Sequence, residues 1–121
     1  MTTMTRILAV FLLSAIALLA DVSGKWSGSF IPDGQDAESA VLHLKQDGPT
    51  ITGTAGPSEE QQMAIRAGKV DGDKVSFEVA LEGGDVIRFE LMLAEEHLRG
   101  TASGEHEGQK RSAKLDVTRA K

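Results

Sequence analysis

The three histidines, His43, His97 and His106, are the side chains in this sequence whose chemistry best suits catalysis or metal binding. His43 is expected on the outer face of a strand, His97 near one end of a barrel, and His106 in a loop at the other end. Because these three side chains should not meet, a three-histidine metal site is not predicted. The Glu-His-Glu segment at 105–107 offers metal ligands, but such a trio is common in acidic loops. We therefore expect no metal site and no cofactor.

The other motifs of catalytic or ion-binding type are incomplete. The Asp-Gly-Asp segment at 71–73 matches only the beginning of a calcium-binding loop, and a tight turn accounts for it. No G-x-S-x-G motif occurs, and the serines have no base in evident reach. Gly83-Gly84 is not followed by a phosphate-binding helix. A cofactor-free barrel enzyme would need a carboxylate or histidine deep inside, which the alternation does not supply, so the sequence favours a protein that is not an enzyme.

One set of apolar side chains is expected to share the barrel interior. It comprises Phe30, Leu42, Met63, Phe77, Phe89 and Leu91. These residues would line a ligand cavity or simply fill the interior, because eight strands leave room for either. Arg111 has the same inward phase at the open rim, where it would meet an anionic head group or extend into solvent.

The elements that position these side chains are predicted from period-2 alternation between Gly- and Asp-rich turns. Eight strands are expected at 24–31, 38–46, 50–56, 62–71, 74–80, 86–93, 97–104 and 110–119. Consecutive hairpins with one apolar and one polar face predict an all-β, eight-stranded antiparallel up-and-down barrel, with a two-sheet sandwich as the alternative. Val70 is out of step with Ile65, so a bulge is expected near Ala67-Gly68. The charged outward face is the reverse of an outer-membrane barrel.

Residues 1–20 are expected to be a signal peptide, followed by a single barrel domain at 21–121. Arg6 precedes an apolar run of 14 residues, Ile7 to Ala20, which is short for a membrane span. Cleavage is expected after Ala20, with Ala17 as the alternative, which predicts a periplasmic or extracellular protein without a membrane span in its mature part. Removing Arg6 leaves 12 basic and 18 acidic residues, a net charge of −6. That charge disfavours nucleic acid as a partner.

The two ends of the chain are expected to meet at one rim. Trp26 begins the first strand and Arg119 ends the last, so parity makes them neighbours and predicts a cation–π contact. The tight turns at 47–48, 71–72 and 95–96 fall at this closed rim. The opposite, open rim should carry longer acidic loops at 32–36, 56–61, 81–85 and 105–109.

Gly24-Lys25-Trp26 on the first strand, with Arg119 on the last, resembles the structural signature of the calycins, the lipocalin and avidin superfamily. The segments 24–30 and 44–56 are similar in style to the first strands of avidin-type barrels. The chain also resembles small exported bacterial β-barrel proteins. The resemblance implies Gly24, Trp26 and Arg119 as structural residues, and a barrel that holds a small apolar ligand or, in some relatives in architecture, inhibits enzymes. One Trp and no Tyr are present, so biotin binding is not implied.

Two functions follow as hypotheses. The first is a non-catalytic exported barrel that binds a small apolar ligand or serves as an interaction module for a protein partner. The alternative is an inhibitor of a secreted hydrolase that acts through the acidic open-rim loops. Acidic loops also serve solubility alone, so the loop charge does not decide between these hypotheses.

Overall fold

The computed structural model describes residues 21–120, and these residues form a barrel of eight strands. The expected signal peptide, residues 1–20, lies outside the described residues, as does Lys121. The strands are β1 (Gly24–Pro32), β2 (Glu38–Asp47), β3 (Thr50–Ser58), β4 (Gln61–Asp71), β5 (Lys74–Ala80), β6 (Val86–Ala94), β7 (His97–His106) and β8 (Gln109–Arg119). Each predicted strand is present, and the bounds differ from the prediction by two residues at most.

Every strand pairs antiparallel with its neighbours in sequence, and β1 closes the barrel by pairing with β8. The up-and-down barrel is therefore confirmed, and the sandwich alternative is wrong. This closed eight-stranded barrel is compatible with a calycin-like fold. Residues 21–120 contain no helix that is long and apolar enough to cross a bilayer.

Alternation along the strands sorts side chains between an apolar interior and a charged exterior. The interior is apolar: among residues 21–120, no polar or charged residue is buried. The exposed outward positions include Lys45, Arg66, Arg88, Arg99 and Lys114. Burial of the apolar face is the main force that closes the sheet, since each buried large aliphatic side chain contributes about 1.5–3 kcal/mol.

The predicted bulge in β4 is present. The β4–β5 register shifts between Arg66 and Lys69, and Ala67 has a φ of 54°. The extra residue lets Ile65 and Val70 both face the core although an odd number of steps separates them.

Close approach between strands requires glycine at position 100. A Cβ built on Gly100 would lie 2.0 Å from the carbonyl oxygen of Glu90 and 2.8 Å from the Cα of Leu91 on β6. Both atoms belong to backbone, which cannot move aside as a flexible side chain can. The residue therefore lets β6 and β7 coil tightly around the small barrel.

The closed end is built around Trp26 and Arg119, as expected. The two residues are register partners, and the guanidinium carbon of Arg119 lies 4.5 Å from the indole centroid. The indole is fully buried. The expected cation–π contact is therefore present, and it joins the first strand to the last.

The same two side chains fasten the segment Asp21–Ser23 across this end by its three carbonyl groups. Trp26 Nε1 donates to Val22 O at 3.0 Å. Arg119 Nη2 donates to Asp21 O at 2.8 Å, and Arg119 Nη1 to Ser23 O at 2.6 Å. The Val22 side chain is fully buried as a result. We call Asp21–Ser23 the end cap; its role was not predicted from the sequence.

The end cap is also tied to β2. Gln46 Oε1 accepts the backbone N–H of Val22 at 2.9 Å, and the backbone N–H of Gln46 donates to Ser23 Oγ at 2.9 Å. Gly24 then leads the chain into β1 with a φ of 131°, a backbone conformation that residues with a Cβ rarely adopt. The three residues implied as a structural signature thus act together at the closed end.

Candidate functional site

An apolar cavity of about 150 Å³ lies at the open end of the barrel. The small inward residues Ala40 and Ala55 leave this space, and the backbone of Gly56 also borders it. The remaining lining residues are Phe30, Glu38, Ser39, Leu42, Pro57, Met63, Val79, Ile87, Phe89 and Leu115. The cavity is therefore formed by residues from seven of the eight strands.

Four of the six interior residues expected to line a cavity do so: Phe30, Leu42, Met63 and Phe89. The other two, Phe77 and Leu91, face the interior and fill it without bordering this space. Phe77 is only 1% exposed and supports the cavity from below, with its ring stacked on Phe89 at a centroid distance of 4.7 Å. Leu91 is 2% exposed and also belongs to the packed core. Strand phase fixes the face of a residue but not its depth along the barrel axis.

The cavity adjoins a wider cleft of about 470 Å³ in the mouth of the barrel. Three residues line both spaces: Phe30, Glu38 and Ile87. Phe30 stands at the boundary with its ring tilted 43° to that of Phe89, at a centroid distance of 6.4 Å. A ligand with an apolar body and a polar group could occupy both spaces at once.

Arg111 lines this cleft, in the place expected from its phase. It is exposed, and it also lines a shallow depression on the neighbouring surface with Arg88, Glu105 and Lys110. Arg111 therefore borders both depressions at the rim. No carboxylate of residues 21–120 forms an ion pair with it.

Glu38 is the residue of this site that sequence reasoning missed. It is the first residue of β2 and continues the inward phase of Ala40, Leu42 and Leu44 by one step. It is also the register partner of Phe30. The signal was available, because the alternation that placed Ala40 inward also places Glu38 inward, at the mouth.

The open rim has fewer long loops than expected. Segments 33–37 and 81–85 are loops, whereas the connections at 59–60 and 107–108 are two-residue turns. Glu107 and Gly108 both have positive φ, 52° and 81°, as the compact type I′ turn requires. The protruding surface proposed for an inhibitor is correspondingly smaller.

Glu59 does not contribute to the mouth. Its carboxylate forms an ion pair with Lys25 and lies 3.8 Å from His43 Nε2, on the outer face of the barrel. The hydrogen bond and charge of Lys25 hold the pKa of Glu59 below its ordinary value.

The three histidines do not meet. Besides the His43–Glu59 contact, His97 Nδ1 lies 3.0 Å from Asp116 Oδ1, and His106 Nδ1 lies 2.5 Å from Asp85 Oδ2. The His97 hydrogen bond is the main cause that lowers the pKa of Asp116, and the nearby Arg99 adds to it. Within the part of the chain that the structure describes, no three His, Asp or Glu side chains converge as metal ligands.

Comparison with known proteins finds no relative of this chain: no family model, curated protein or solved structure matches it.

Proposed function

We propose that this protein is a non-catalytic exported barrel that binds a small apolar ligand in the open-end cavity. The observation that supports it is the apolar space of about 150 Å³ beside an accessible mouth. An enclosed apolar cavity of this volume accepts a benzene-sized guest.

Size limits the apolar body of the ligand to about that of one benzene ring or a short branched chain. Bulkier or polar parts would occupy the adjoining cleft. Small ligands gain between about 0.3 and 1.5 kcal/mol per heavy atom. At about 0.5–0.7 kcal/mol per heavy atom, within that range, a probe of about eight heavy atoms is expected to bind with a Kd of roughly 0.1–1 mM.

Two methionines make a direct test possible. Met63 lines the cavity, whereas Met92 is 49% exposed on the outer face of β6. In a protein labelled at the methionine methyl groups, benzyl alcohol should shift the Met63 signal in a saturable manner and leave Met92 unchanged. Met63→Leu and Met92→Leu variants assign the two signals. Equal, non-saturable shifts at both methyl groups would show that the cavity is not a binding site.

A variant that fills the cavity should lose ligand binding and so provides a second test of the site. Ala55→Leu places three additional carbons in the space that the proposed ligand would use. Overpacking costs about 1–3 kcal/mol at a filled site, and less where a void exists. The variant should stay folded, with unchanged Trp26 emission at the opposite end, and should lose binding of benzyl alcohol at least tenfold.

The alternative, an inhibitor of a secreted hydrolase, has less support. It needs protruding acidic loops, and two of the four expected loops are two-residue turns. Glu59 is also engaged on the outer face with Lys25.

A further inference from the structure

We propose that the ligand of this cavity is a small cationic amphiphile: an apolar body of about one ring that carries an ammonium or amidinium group. The proposal rests on the apolar-ligand function above. It adds the charge of the ligand and assigns Glu38 as the residue that recognises it.

Glu38 is placed to meet a cation at the top of the cavity. Among residues 21–120, it is the only charged residue that lines the apolar space. It is exposed, and no cationic side chain within residues 21–120 pairs with it at 4.0 Å or less. A group bound in the cavity would therefore find a carboxylate that is not already neutralised.

The wider cleft in the mouth also carries a net negative charge. Its lining includes the carboxylates of Glu38, Glu82, Asp85 and Glu105, against the single guanidinium of Arg111. The formal charge of this set is −3, or −2 when His106 is protonated beside Asp85. Clefts lined by one sign of charge focus the field and raise the local concentration of the opposite ion. This charge balance disfavours the anionic head group that Arg111 alone would suggest.

An aromatic ring adjoins the same point. Phe30 is the register partner of Glu38 and lines both the cavity and the cleft. A cation near an aromatic face is stabilised further by the ring quadrupole. The combination of an apolar space, a free carboxylate and an adjoining aromatic ring matches an arylalkylamine better than a neutral hydrocarbon or an acid.

Three probes of nearly equal shape test the proposal: benzylamine, benzyl alcohol and benzoate, titrated at pH 7 and low salt with Met63 and Met92 as reporter and control. One unit charge at about 5 Å in water-like dielectric changes affinity by roughly fourfold. Benzylamine should bind about three- to tenfold more tightly than benzyl alcohol, and benzoate more weakly than both. The preference for benzylamine should fall to within twofold at about 0.5 M salt.

Single substitutions then identify which charged residue causes the preference for benzylamine. Glu38→Gln should remove most of the preference for benzylamine over benzyl alcohol, whereas Arg111→Gln should increase it. Glu90→Gln makes the same charge change at an exposed position on the outer face and should leave the preference unchanged. Salt dependence in the unmodified protein provides the same information should Glu38→Gln fold poorly.

The outcomes separate this inference from the function on which it rests. Saturable binding of benzyl alcohol without a preference for benzylamine would overturn the cationic ligand and leave the apolar-ligand function intact. Binding of none of the three probes would overturn both. A benzylamine preference that survives in Glu38→Gln would overturn the role of Glu38.

Discussion

Replacement of Arg119 tests whether the end cap contributes to the stability of the whole barrel. The guanidinium donates to two backbone carbonyls of the end cap, to the Glu96 carboxylate at 2.8 Å, and stacks on the indole of Trp26. Arg119→Ala removes all four contacts and leaves the carbonyls of Asp21 and Ser23 without these donors. It should therefore loosen the end cap, which Trp26 and Gln46 still hold, and increase the exposure of Val22.

The expected cost follows from these contacts. The Arg119 side chain is 30% exposed, so each hydrogen bond to a carbonyl is assigned about 1 kcal/mol, below the range for fully buried charged donors. The exposed Glu96 pair adds at most about 0.5 kcal/mol, and the cation–π contact adds about 0.5–1 kcal/mol. Arg119→Ala should thus lower the free energy of unfolding by about 2–4 kcal/mol. Arg119→Lys keeps the charge but not the fork of donors, and should cost about 1–2 kcal/mol.

Urea unfolding followed by fluorescence measures these values, because Trp26 is the only tryptophan and lies under the substituted side chain. Circular dichroism checks that the whole sheet unfolds in the same transition. Arg99→Ala is the matched control, since Arg99 forms an exposed ion pair with Asp116 and should cost less than about 1 kcal/mol. Equal losses for the Arg119 and Arg99 variants would refute the structural role assigned to the end cap.

Three further predictions concern other parts of the barrel. Val22→Ala should lower the free energy of unfolding in urea by about 1.5–2.5 kcal/mol, because it removes two carbons from a fully buried side chain. A loss below about 0.5 kcal/mol would show that the end cap is loosely packed. Gly100→Ala should cost more than about 3 kcal/mol or prevent folding, since its Cβ would meet backbone on β6; native-like stability by circular dichroism would contradict the close approach of β6 and β7. The folded-state pKa of Asp116 is lowered from 3.8 by its His97 hydrogen bond, so its contribution is present above about pH 4 and is lost as pH falls through the lower folded-state value. Asp116→Asn should be less stable than the parent at pH 6, and this difference in the free energy of unfolding should shrink as pH falls below about 4; a difference that stays constant into acid would contradict this linkage.

The sequence predicts the barrel well because its alternation is local and regular. Each strand carries its apolar residues at every second position, and the exception near Ala67 has its own local signature. Closure follows from parity, which brings Trp26 to Arg119 without knowledge of any long-range contact. These features depend only on face and order, both of which are present in the linear chain.

Other features depend on the tilt of the strands and on the depth of each residue along the barrel axis, which the alternation of apolar and polar residues does not reveal. Phe77 and Phe89 are register partners with the same phase, and both are buried, yet only Phe89 borders the cavity. The outward position of Glu59 depends on how the β3–β4 turn lies over β2, where Lys25 and His43 meet it. Val22 lacks a strand pattern around it, and its burial depends on the donors of Trp26 and Arg119.

Stability and binding are assigned to opposite ends of the same small core. The closed end contains the indole, Val22 and large aliphatic residues such as Ile51 and Leu98, all of which are fully or almost fully buried. The open end has Ala40 and Ala55 facing inwards, and the space that they leave is lined by apolar atoms next to the free carboxylate of Glu38. A barrel that needed only to fold would gain contacts from larger residues at these two positions, since filling a void restores lost contacts. The small residues therefore make physical sense as part of a binding site, and Ala55→Leu should abolish ligand binding while the barrel stays folded.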